Sequence, residues 1–225
     1  MQTRILGISI VCAALAFTGC GNWTRTQKGG AGGAAAGGVI GGIIGHQVGH
    51  TAAGVLIGAA IGGTAGAAIG RYMDRDAEEI KTALPDAKVH RVSEGIAVEQ
   101  PADGLFEENS ANLTASGKQQ LSQFAATLNK YANTNVVVTG HTDSTGSPAE
   151  EKRLSQEQAK TVADYLASQN VDRSRISASG HGSSSPIASN ATPLERGQNR
   201  RIEFGLYANG QLKQQAQAGN VVVPQ

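Results

Sequence analysis

The chain is poor in cysteine, in aromatic residues and in net charge. Its 225 residues hold two cysteines, 4% aromatics, and 19 basic against 18 acidic side chains, for a formal charge of +1. Each shortage excludes something. Balanced charge leaves no electrostatic footprint for nucleic acid, so none is expected as a partner. Scarce aromatics are unusual for a chain with a single packed core. The 30 glycines explain the shortfall, because about half of them fall between Gly29 and Gly70. Composition is therefore split, and the length allows one or two domains. Cys12 lies inside an N-terminal targeting segment and Cys20 at its end, so once the first is removed and the second modified no thiol remains for a disulfide. The folded part must then be stabilised by burial.

The targeting segment is "MQTRILGISIVCAALAFTGC". Arg4 supplies the positive end, Ile5 to Phe17 the apolar stretch, and "FTGC" a small-residue cleavage site. It resembles a bacterial lipoprotein signal, with residues 1–19 removed, Cys20 lipidated, and residues 20–28 a linker. An ordinary signal peptide with a coincidental cysteine is the competing reading. Against it, Gly19-Cys20 falls where the apolar run ends. Gly21 stands where an aspartate would signal inner-membrane retention, so the resemblance implies the outer membrane, with the C-terminal domain in the periplasm.

Residues 29–72 form a ladder. Gly29, Gly33, Gly37, Gly41, Gly45 and Gly49 recur every four residues, as do Gly54, Gly58, Gly62, Gly66 and Gly70. On a helix this spacing makes a shallow groove where another backbone can approach closely. In water such a helix is weak, since each interior glycine costs about 0.8–1.0 kcal/mol relative to alanine. In a bilayer the cost of unpaired backbone groups forces helix formation. Two apolar runs around "HQVGHT" thus predict a glycine-zipper helical hairpin in contact with the bilayer, able to form a homo-oligomer. A flexible Gly/Ala linker is the alternative. His46 and His50 have the i, i+4 spacing of zinc-binding helices, but Gln47 replaces the acid of the protease motif and no third ligand is suggested, so no metal is expected.

Residues 73–86 read as an amphipathic connector helix leaving the membrane surface and stopping before Pro85. From Ala87 the composition is that of a soluble domain. "AKVHRV" and "GIAVEQ" suggest a hairpin. "LTASGKQQLSQFAATLNKYA" predicts a helix capped by Thr114 or Ser116, with Leu121, Phe124, Ala125, Leu128 and Ala132 inward. "NVVVTGH" is a buried strand. Ser147, Pro148 and Glu150 form a capping box for a second helix, whose inward stripe is Leu154, Ala159, Val162, Ala163 and Leu166. "RISASGHG" and "RRIEFGLY" are strands flanking a short helix, "TPLERGQN". Alternating strands and helices predict an α/β sandwich with a βαβαβ-type mixed sheet. Residues 208–225, rich in glutamine, read as a disordered tail.

"LFEENSANLTASGKQQL", "VTGHTDSTG", "RLSQEQAKTVADYL", "RISASGHG", "PIASN" and "NRRIEF" follow the order and spacing of the OmpA-like C-terminal domain. The resemblance covers residues 87–207, and with Cys20 and the glycine ladder the whole chain resembles glycine-zipper lipoproteins of the OmpA superfamily. It implies non-covalent binding of peptidoglycan and a tether between outer membrane and cell wall, with no cofactor. An enzyme is not expected, because His141, Asp143 and Ser144 are too close in sequence to form a nucleophile–base–orienter chain, and no second acid suits glycoside hydrolysis.

The resemblance assigns Asp143, beside Thr142, to the ammonium of a diaminopimelate stem end. Such a zwitterion calls for an acid and a base held one ligand apart. Asn109 matches the asparagine after the Phe-acid pair, and Arg200 a position bordering the pocket. The family's arginine and asparagine on the following helix are here Gln158 and Glu151. Helical geometry turns Arg153 and Lys160 away from Gln158, so a compensating cation must come from another segment. Replacing a charged hydrogen bond by a neutral one forfeits about 1–2 kcal/mol, or roughly tenfold in affinity. A glutamine suits an amidated stem. Arg201 and Glu203 are expected to form a structural pair on the last strand. A second function class stays open: an assembly lipoprotein that oligomerises through its zipper and binds a protein partner, with wall binding weakened or lost.

Overall fold

The computed structural model describes residues 64–225. Cys20, the signal segment, the pair His46 and His50, and the glycine ladder as far as Gly62 lie outside the described residues.

Helix α1 spans Thr64–Ala83. The expected boundary between a zipper ending at residue 72 and a connector starting at residue 73 falls inside this helix. Ile69, Tyr72, Met73, Asp76, Ala77 and Ile80 recur at three- and four-residue spacing and are buried along one stripe. The helix therefore belongs to the domain core rather than leading away from it. It does stop before Pro85, whose ring disfavours helical backbone at Leu84. Among the described residues, no helix is long and apolar enough to cross a membrane.

Strands β1 (Lys88–Val92) and β2 (Gly95–Pro101) form the expected hairpin. Helix α2 (Ala115–Lys130) is capped by Thr114, whose side chain accepts from the Gly117 amide at 2.9 Å. Leu121, Phe124, Ala125 and Leu128 are buried as expected, but Ala132 is exposed. The helix has ended at Lys130, and Tyr131 takes the inward place instead. Then follow β3 (Thr134–His141), α3 (Pro148–Ser168), β4 (Ile176–Gly182), α4 (Pro193–Asn199) and β5 (Arg201–Ala208). The Ser147–Glu150 capping box opens α3 as expected, and Thr192 with Glu195 makes a second one at α4.

The sheet order is β1-β2-β5-β3-β4, with β3 and β4 parallel and every other pairing antiparallel. The α/β class with a mixed sheet is what the sequence pattern led us to expect. Helix α3 makes the crossover from β3 to β4, and two glycines let it lie unusually close. A Cβ on Gly140 would stand 2.3 Å from the Ser155 carbonyl oxygen, and one on Gly180 would stand 2.2 Å from the Gln156 nitrogen. This approach carries Glu151, Ser155 and Gln158 to the ends of the strands.

The tail is not disordered throughout. Gly210–Gln217 form a helix, α5, capped by Asn209, with Leu212 and Ala216 buried in the main core. An apolar pair four residues apart suffices here because α1 supplies the surface it docks on.

Candidate functional site

The C-terminal ends of β2 and β3 meet the start of β5, and the loops beyond them surround an open cavity of about 760 Å³. All six candidate residues, Asn109, Thr142, Asp143, Glu151, Gln158 and Arg200, border it. Sequence-distant segments thus converge on one cavity.

Asp143 follows the end of β3 and is buried at 7% exposure. One carboxylate oxygen accepts from the Thr145 hydroxyl at 2.6 Å and the Thr145 amide at 3.1 Å, an Asx turn that fixes the side chain. The other accepts from Arg200 Nη1 at 2.9 Å. Burial alone would raise the pKa of this acid. The hydrogen bonds from the Thr145 hydroxyl, the Arg200 guanidinium and the Thr145 amide outweigh it and hold the carboxyl below the usual aspartate range. Asp143 is an anion at neutral pH.

Arg200 caps the end of α4 and directs its Nε and Nη2 to the two oxygens of Asp103, at 2.9 and 2.7 Å. The fork to Asp103 and the bond to Asp143 raise its pKa further, so the cation is permanent. Asp103 is a site residue that sequence reasoning missed. In "PADG" it reads as a turn residue, and only the β2–β5 pairing, which sets Pro101 opposite Arg201, brings it beside Arg200.

Gln158 and Glu151 are committed inside the protein. Gln158 Nε2 donates to the Ser110 carbonyl at 2.9 Å, pinning the loop that carries Asn109. Asn109 itself stands in the left-handed region, at φ 52°, exposed on the cavity lip. Glu151 accepts from the Gly146 amide at 3.0 Å with one oxygen and from the Ser183 hydroxyl with the other. Thr142 donates its amide to the Gly182 carbonyl at 3.1 Å. Its hydroxyl is buried and has no hydrogen-bond partner among the described residues.

Arg153, which helical geometry turns away from Gln158, nevertheless borders the cavity, because the wall curves over the first turns of α3; this corrects the expectation. It pairs with Glu157 at 2.9 Å. The expected structural pair is present: Arg201 Nη2 and Glu203 Oε1 are 2.6 Å apart, both buried on β5.

A five-stranded mixed sheet backed by helices, with an acid–arginine pair at its mouth, defines the class of domain. Residues 105–200 match the OmpA family, and residues 1–74 match the YMGG-like Gly-zipper family. The chain thus resembles the OmpA family over one stretch and a glycine zipper over another. It is similar to the probable lipoprotein YiaD of Escherichia coli, with 39% identity over 140 residues, covering 61% of this chain and 64% of that protein. It is also similar to the peptidoglycan-binding protein ArfA of Mycobacterium tuberculosis, 41% identical over 99 residues, covering 44% of this chain and 30% of that one. Its match thus spans less than two thirds of these relatives. Among solved structures it resembles the cell wall anchor of the T6SS from Pseudomonas aeruginosa, with TM-score 0.52 and 30% identity over 63% of this chain and 97% of that one.

Proposed function

We propose that this domain is a non-covalent receptor for the peptidoglycan stem peptide, with Asp143 holding the ammonium of its diamino acid. One observation supports the reading above the others: an ionised, buried Asp143 borders an open cavity with hydrogen-bonding capacity to spare. An aspartate carboxylate has about four acceptor positions, and three donors occupy Asp143 here. Arg200 commits three of its five N–H groups, leaving two for a ligand oxygen. The names of the ArfA and T6SS relatives agree with a wall ligand. With Cys20 lipidated and the glycine-zipper segment held at the outer membrane, the chain tethers that membrane to the wall. The domain acts by binding rather than by catalysis.

Co-sedimentation of the full chain, in detergent, with purified peptidoglycan tests this. Losing a charge-assisted hydrogen bond is worth about 1.5–3 kcal/mol, so Asp143→Ala should lower retention at least about tenfold. Unchanged retention of that variant would remove the pocket assignment. A wild-type chain left in the supernatant would favour the assembly reading, in which the sandwich docks a protein.

A further inference from the structure

The charge around the cavity points to a preference within that ligand class, and the inference rests on the receptor reading above. Six carboxylates border the space, from Asp103, Glu107, Glu108, Asp143, Glu150 and Glu151, against three guanidiniums, from Arg153, Arg196 and Arg200. Six minus three leaves an excess of three negative charges. Each of the three cations is already engaged. Arg153 pairs with Glu157, Arg196 donates to the carbonyls of Asn190 and Ala191, and Arg200 lies between Asp103 and Asp143. Gln158, on the α3 wall, brings no charge and spends its amide on Ser110.

A guest ammonium gains from this field, and a guest carboxylate meets it as repulsion. The Asp103–Arg200–Asp143 triad carries net −1 by itself. Two N–H groups of Arg200 can still donate to an uncharged carbonyl oxygen. We propose that the site selects stem peptides whose diamino acid bears an amide in place of its free side-chain carboxylate. The guest is then cationic at that end, and its amide oxygen takes the position a carboxylate would otherwise hold. Discrimination here comes from repulsion of the wrong ligand as much as from attraction of the right one.

Calorimetric titration of the full chain in detergent, with two synthetic stem tetrapeptides differing only in that carboxyl group, decides the matter. At low salt the amidated stem should bind about tenfold more tightly, a difference of about 1.4 kcal/mol. The gap should shrink several-fold in high salt, where charges are screened within about 3 Å at 1 M. Asp103→Asn removes one of the carboxylates holding Arg200, and it should improve binding of the free-acid stem more than that of the amidated one. Equal or tighter binding of the free-acid stem to the wild-type chain would overturn the preference while leaving the receptor reading intact. Binding of neither stem would overturn the receptor reading, and the preference with it.

Discussion

Asp76 in the helical flank and Asp143 at the mouth of the sheet are both buried, at 0% and 7% exposure, yet their surroundings are opposite. Asp143 has three donors arranged around it. Neither oxygen of Asp76 has a hydrogen-bond partner among the described residues. Cations are near Asp76 but committed elsewhere. Arg175 donates to the carbonyls of Leu128, Tyr131 and Thr134, and Arg91 pairs with Asp74. Burial therefore dominates at Asp76 and pushes its carboxyl well above the usual range, with Arg175 lowering it and Glu79 adding repulsion. A carboxylate in a protein interior takes its character from the donors that tertiary contacts bring, not from depth alone. The flank is held by apolar contact and tolerates a neutral acid; the mouth is organised around a charged one.

The largest effect should come from breaking the flank's apolar contact. Leu212→Ala removes a fully buried side chain from α5 and should cost about 2–4 kcal/mol in chemical denaturation. A cost below about 0.5 kcal/mol would show that α5 is not docked in solution.

Next comes Asp76→Asn, which keeps the shape and removes the ionisation. It should stabilise the protein by about 1–3 kcal/mol at pH 7. The sign follows from linkage. A carboxyl whose folded pKa is raised contributes its stability in full below the unfolded value of about 3.9, and loses it as pH rises through the folded pKa. The advantage of the variant should therefore grow with pH and vanish in acid. An advantage that stays constant with pH would mean that Asp76 does not titrate.

Asp143→Asn should do the reverse on a smaller scale, destabilising by about 1 kcal/mol at pH 7. Its folded pKa is depressed, so its contribution is present above about 3.9 and disappears as pH falls through the folded value. Melting curves across pH for the two variants should run together in acid and diverge as pH rises, and parallel curves would dissolve the contrast. Smallest of all, Gln158→Leu releases the Ser110 carbonyl and should cost about 0.5 kcal/mol. Amide exchange in residues 107–112 should rise with it.

Local patterns made much of this legible. The capping box at Ser147, the hairpin at residues 88–101 and the buried run of β3 were all readable, because caps, turns and periodicity act over a few residues. The convergence of Asn109, Thr142, Asp143 and Arg200 on one cavity was readable only through the family resemblance. Asp103 was not readable at all, since its partner lies 97 residues away. Nor was the membership of α1 in the core: its apolar stripe looks the same whether it faces a domain or a membrane surface. The ordering of α5 escaped for a related reason, because two apolar residues in a glutamine-rich stretch signify little until α1 is there to receive them.

The order of strands and helices from β1 to β5 and the caps at Thr114 and Ser147 were determined by the sequence itself. Tertiary structure alone decided that Asp143 is a stabilised anion and that Asp76 is an acid with no hydrogen-bond partner among the described residues, that Arg200 is shared by two carboxylates, and that Gln158 serves a loop. The physical reason is range. Caps and periodicity involve neighbours within a turn or two of chain, whereas the charge state of a buried group is set by donors and charges within a few ångströms of space, which the folded sheet gathers from segments far apart in sequence.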